Sequence, residues 1–281
     1  MKSNKTPFKN QDKRLYYQYL GFINSVNLFT QDIMGMKHFN FEAQSISYED
    51  FQTFSLDVQV PLGKRVERFF EFYIQENPNY KMLKKNIQIN HNKTTIGEFD
   101  FFLEEQNNKK VIHVELVYKF YIYKEHTDEI KRYHGPNNHD NLEDKLHKLQ
   151  TRQFPLLYNP YAKEILKELD ISKVSQELCF LGNVFVKQET EANFEVINPN
   201  ALAGTYLSFE TFLTDARYKN KHYFIPQKED WLVEEKYAEF WYKHEETIEK
   251  IEKYFQRNIS LLLWIKSGNE FEKAFVLKSS P

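Results

Sequence analysis

One cysteine, Cys179, stands in 281 residues. An intramolecular disulfide and a cysteine-built zinc site are therefore excluded, and a reducing, cytoplasmic setting is expected. Glycine and proline are also scarce, at 8 and 9 residues, about half their usual joint share of roughly 12%, which argues against a fibrous or disordered chain. Long apolar runs are missing. The longest, Leu261 to Ile265, falls far short of the roughly 20 residues that a membrane helix needs. Met1-Lys2-Ser3-Asn4-Lys5 leads into no apolar stretch, so no secretory signal is expected. No charge of one sign dominates: 38 basic against 40 acidic side chains leave a net charge of −2. That balance excludes a uniformly basic nucleic-acid coat.

Aromatic residues, by contrast, are plentiful, with 25 Phe, 18 Tyr and 3 Trp. A chain of this length has ample material for a sizeable core. Charge is distributed unevenly. Residues 61–155 hold 16 basic and 14 acidic side chains, whereas residues 156–281 hold 16 and 20. The middle of the chain is thus mildly positive.

Hydrophobic periodicity organises the same stretch. Val66, Phe69, Phe70, Tyr73 and Ile74 recur at helical spacing between Leu62 and Gln75, and Asn77-Pro78-Asn79 stops that helix. Strand-like segments follow at 86–90, 96–103 and 111–123, with Asn107-Asn108 as a turn between the last two. Helices are expected at 13–24, 141–153 and 160–169, and a long one through Tyr237, Trp241, His244, Ile248, Ile251 and Phe255. Further strands are expected at 178–186, 223–226, 260–265 and 271–277. This order predicts an α/β protein with α+β tendencies, built on a central mixed sheet flanked by helices.

Side chains alternate along a strand. Ile112, Val114, Leu116, Tyr118, Phe120 and Ile122 therefore share one apolar face, and His113, Glu115, Val117, Lys119 and Tyr121 share the other. On the preceding strand Phe99, Phe101 and Leu103 belong with the apolar side, and Glu98 and Asp100 lie opposite. Three carboxylates and a lysine are thus expected on one face of an antiparallel pair. Like charges so placed repel, and burying one without a partner is costly. A divalent cation resolves the conflict, and magnesium asks for only one or two carboxylates beside water and phosphate oxygens. The plainer reading of such a face is a solvated one, with His113 structural or exposed.

The Gly97-Glu98-Phe99-Asp100 run, followed by Glu115 and Lys119 in an apolar strand, resembles the PD-(D/E)XK nuclease superfamily over residues 62–155. Most of the chain resembles the bacterial family called domain of unknown function 1853. That likeness rests on Gly63-Lys64-Arg65-Val66-Glu67-Arg68, Gly97-Glu98-Phe99-Asp100-Phe101, His113 to Phe120, Gly135-Pro136-Asn137 with Leu142 to Leu146, Tyr223-Phe224-Ile225-Pro226 and Asp230-Trp231-Leu232. The superfamily resemblance implies that Asp100 and Glu115 hold Mg²⁺ or Mn²⁺, that Glu67 on the preceding helix assists, and that Lys119 serves the water or the phosphate. Helical arithmetic at about 100° per residue puts Glu67 at the edge of the apolar arc, with Glu71 the weaker choice one turn later. The superfamily's usual lysine position is Val117 here. Lys119 shares the face of Glu115 but lies roughly 13 Å along the strand at about 3.3 Å per residue. Lys145 or Lys148, on the following helix, is the alternative source of the charge. Gln153 is the nearest match to a glutamine signature of one branch, with Tyr158 one position too far.

The resulting expectation has three segments: 1–60 packed on the core, 61–155 as the nuclease-like core, and 156–281 as an extension of the same domain. Its favoured function is metal-dependent hydrolysis of DNA, with Lys145, Lys148 and Gln153 touching substrate and no membrane partner. Its rival is an inactive nuclease-like fold that binds nucleic acid or protein.

Overall fold

The computed structural model describes residues 8, 13–57, 59–190, 192 and 194–278. Its strands are β1 (Lys37–His38), β2 (Tyr80–His91), β3 (Thr94–Glu105), β4 (Val111–Tyr123), β5 (Tyr133–His134), β6 (Ser175–Lys187), β7 (Leu202–Ser208), β8 (His222–Phe224), β9 (Leu261–Ser267) and β10 (Glu270–Leu277). Its helices are α1 (Arg14–Ile23), α2 (Tyr48–Phe51), α3 (Leu62–Glu76), α4 (Leu142–Lys148), α5 (Pro160–Ile165), α6 (Phe209–Thr214), α7 (Ala216–Lys219) and α8 (His244–Gln256). The strands join in one mixed sheet of order β2-β3-β4-β6-β7-β10-β9-β8, with β1 paired to β6 and β5 to β4. The neighbours β4, β6, β7 and β10 run parallel, while the β2–β3 hairpin and the pair β9 and β8 flank them antiparallel. The expected α/β architecture is thus the observed one. No helix among the described residues is long and apolar enough to cross a membrane.

Packing explains why β4 can be so apolar. Ile112, Val114, Phe120 and Ile122 bury against α1 and α3 on one side. Val117, Tyr121 and Tyr123 bury against Leu142, Leu146 and Leu149 on the other. A strand covered on both faces reads as a nearly continuous hydrophobic run. The expectation of a polar second face is corrected accordingly: His113, Glu115, Val117 and Tyr121 are all buried.

Two element expectations also change. The helix expected through residues 237–255 begins only at His244. Upstream, Tyr242 exchanges both backbone hydrogen bonds with Tyr223 of β8 (2.7 and 2.8 Å), which holds that stretch extended. The expected 141–153 helix is α-helical only to Lys148, and a π-helical turn carries the chain through Leu149–Gln153.

The run Asp230-Trp231-Leu232 has a structural use here. Buried Asp230 accepts from Arg14 Nε and Nη2 (both 2.8 Å) and from Gln18 Nε2 (2.7 Å). Gln18 Oε1 in turn accepts from the buried Arg65 (3.0 Å). One polar chain therefore ties α1, α3 and the 228–232 turn together, with the buried Asp230 paired to Arg14 as burial requires.

Candidate functional site

The site lies where β3 leaves β4. Their pairing runs from Glu104↔Val111 to Phe101↔Val114 and is confined to those four pairs. Just past the last pair, one residue along β3 and two along β4, the Leu116 N–H donates to Asp100 Oδ2 (2.9 Å). The carboxylate thus replaces a strand carbonyl where the ladder ends, as a buried donor demands. Across the hairpin, Asn86 sits between the Lys85↔Phe101 and Ile87↔Phe99 pairs with φ of +50°. Alternation slips at this point. Phe101 packs with the α3 side, whereas Phe99 packs with Phe102 and His113 on the other. Glu98 correspondingly faces Lys64 of α3 (3.5 Å). The expected grouping of Phe99 with Phe101 therefore fails, because the strand is kinked at the acid itself. Gly97 has a steric reason: a Cβ there would lie 2.7 Å from Leu156 Cδ2.

Glu115 is 2% exposed, so its charge depends on its partners. Gln153 Nε2 donates to Oε2 (3.1 Å), and His113 Nε2 lies 3.0 Å from Oε1. Gln153 reaches this position from the end of the π-helical turn, a distortion often found at functional sites. Asp100 is pushed up to about 8, first by burial and next by the Glu115 charge; the Leu116 N–H opposes the rise, Glu67 adds to it and Lys145 reduces it. Burial lowers the Lys145 ammonium, while Glu115 and Asp100 hold its proton on and Lys119 and Lys148 repel it. Asp100, Glu115, Glu67, Lys119 and Lys145 thus share one electrostatic neighbourhood.

The two lysine candidates differ in what else they touch. Lys119 pairs with Asp140. Gly135 permits that approach, since a Cβ there would lie 1.9 Å from Asp140 Oδ1. Lys145 faces the two acids directly in charge and is half-buried. Lys148 is exposed on α4. Glu67 pairs with Lys64 (2.8 Å) at the rim, with its side chain 19% exposed. Glu71 pairs with Arg68 and Lys85.

These residues suit a hard dication. Two oxygen acids repel each other in a low-dielectric fork, and a cation between them removes that repulsion. Among the described residues no group of three or more His, Cys, Asp or Glu side chains forms a ready-made metal cage. Asp100 and Glu115 would hold the ion, with Glu67 at the rim. Magnesium keeps several waters and needs no third acid.

The domain of unknown function DUF1853 matches residues 42–276. The chain belongs to the DUF1853 family. No curated protein and no solved structure matches it. The matched span of this DUF1853 chain includes α3, the kinked hairpin, β4 and Gln153, so every candidate residue lies inside it. Of the partners of the DUF1853 site, His113, expected on the Glu115 face in a structural or exposed role, is buried and touches Glu115. Gln176, which comes in from β6 beside it, carried no signal, because parallel neighbours are far apart in sequence.

Proposed function

We propose that this chain is a metal-dependent phosphodiester hydrolase of the PD-(D/E)XK type acting on DNA. The observation that carries the reading is the electrostatic neighbourhood that Asp100, Glu115 and Lys145 share beside the fork between β3 and β4, where each acts on the charge of another. Asp100 and Glu115 offer the oxygen ligands for Mg²⁺ or Mn²⁺, and Glu67 stands beside them. A bound dication neutralises phosphate charge and acidifies a water. Lys145, in place of Lys119, donates to the phosphate or orients the attacking water; its partly buried position strengthens that interaction. Gln153 holds Glu115 still. Lys64, Lys148 and Arg152 border the fork as exposed cations for the phosphate backbone.

The rival, a binding module without catalysis, draws support from the Lys119–Asp140 pair, which occupies the strand lysine. Incubation of the protein with plasmid DNA and Mg²⁺ or Mn²⁺ separates the two. Cleavage that Asp100→Ala abolishes, with an unchanged circular dichroism spectrum, supports the hydrolase. DNA binding with no cleavage in either metal supports the module.

A further inference from the structure

We infer that His113 is a positioning residue that locks the Glu115 carboxylate in place from a single, enforced tautomer. The inference rests on the reading of Glu115 as a ligand. The ring is fully buried. Phe102 stacks on it at 5.1 Å and 24°, and Phe99 and Phe154 meet it edge-on. It therefore has one orientation. Its two nitrogens face different partners: Nε2 lies 3.0 Å from Glu115 Oε1, and Nδ1 lies 3.1 Å from Gln176 Nε2.

The orientation of the Gln176 amide decides the tautomer. The same Gln176 nitrogen lies 2.8 Å from the Phe154 carbonyl oxygen. A carbonyl oxygen only accepts, so the atom facing it is the NH₂ group. One of its hydrogens goes to Phe154 and the other points at His113 Nδ1. Nδ1 must then accept, which puts the ring proton on Nε2, aimed at Glu115. Gln153 Nε2 is fixed by the same logic, since it faces both Glu115 Oε2 (3.1 Å) and the Glu98 carbonyl (3.5 Å). Each oxygen of Glu115 thus receives one N–H, and each keeps a lone pair for a cation. A partner that orients a metal-ligating side chain in this way is worth roughly ten- to hundredfold in metal affinity.

The test uses the full chain. Nitrogen-15 NMR at neutral pH should show His113 protonated on Nε2 with Nδ1 as the acceptor; an Nδ1-protonated ring overturns the inference whether or not metal binds. Mn²⁺ titration calorimetry then reads the consequence. His113→Leu should weaken Mn²⁺ binding roughly ten- to hundredfold, whereas His113→Gln, whose amide can reach Glu115, should largely restore it. Gln176→Leu, which leaves ring and acid in place but frees the tautomer, should fall between them and serves if His113→Leu does not fold. Unchanged affinity in both His113→Leu and Gln176→Leu overturns the inference. Absence of Mn²⁺ binding in the wild type defeats the hydrolase reading instead, and the nitrogen spectrum still decides the tautomer.

Discussion

Asp100→Asn should stabilise the metal-free protein, and by an amount that grows with pH. The carboxyl rises from 3.8 to about 8 in the folded state, chiefly by burial and then by Glu115. The native state therefore binds this proton more tightly than the unfolded chain. Its contribution is fully present below pH 4 and is lost as pH climbs through about 8. At 1.36 kcal/mol per pH unit, the loss across that window reaches at most about 6 kcal/mol, and about 4 kcal/mol at pH 7. That is a large part of the typical 5–15 kcal/mol stability of a domain. Asparagine keeps an oxygen for the Leu116 N–H and carries no charge to bury. Urea unfolding of both proteins in chelator at pH 4, 7 and 9 checks this. The curves should nearly coincide at pH 4, with the variant more stable by several kcal/mol at pH 9. A difference that stays flat with pH, or a variant less stable at pH 9, refutes the reasoning that Asp100 is a buried acid repelled by its neighbour.

Other outcomes follow from the same geometry. Lys145→Met should reduce cleavage by about 100-fold or more, the scale of losing one donor to developing charge, whereas Lys119→Met should cost less because Asp140 already occupies that ammonium; steady-state kinetics compare the two. Gly204→Ala should destabilise the fold by about 1–3 kcal/mol, since the added carbon would lie 2.2 Å from the backbone oxygen of Lys273; thermal melts check it. Asp230→Ala should cost about 1–3 kcal/mol, because it removes the acceptor of the buried Gln18 amide and the carboxylate partner of the partly exposed Arg14; a melting temperature within a degree of wild type would contradict that.

Local periodicity was enough to find α3 and β4, whose bounds, Leu62–Glu76 and Val111–Tyr123, agree closely with the pattern of apolar residues. Asp100 and Glu115 were legible because acids stand out in apolar strands. The rest depended on contacts that sequence spacing does not encode. Strict alternation misplaced Phe99, since the positive φ of Asn86 on the neighbouring strand marks a kink that pattern reading treats as regular. Sequence places Lys119 on the Glu115 face, but only the fold shows Asp140 pairing with it and Lys145 of α4 standing in the electrostatic field of Asp100 and Glu115. The stripe from Tyr237 to Phe255 repeats at helical spacing, yet backbone pairing to Tyr223 holds its first part extended. His113 looks ordinary in sequence; β6 supplies Gln176 to it, and the 3₁₀ turn that follows the π-helical turn supplies Phe154.

A crystal grown with Mn²⁺ tests the central claim most directly, because anomalous scattering locates the ion without assumption. The account predicts one strong peak at the β3–β4 fork, bound by Asp100 and Glu115 carboxylate oxygens, with Lys145 facing its open side. A well-ordered fork with no peak, or with the two carboxylates turned away from a common point, would contradict it.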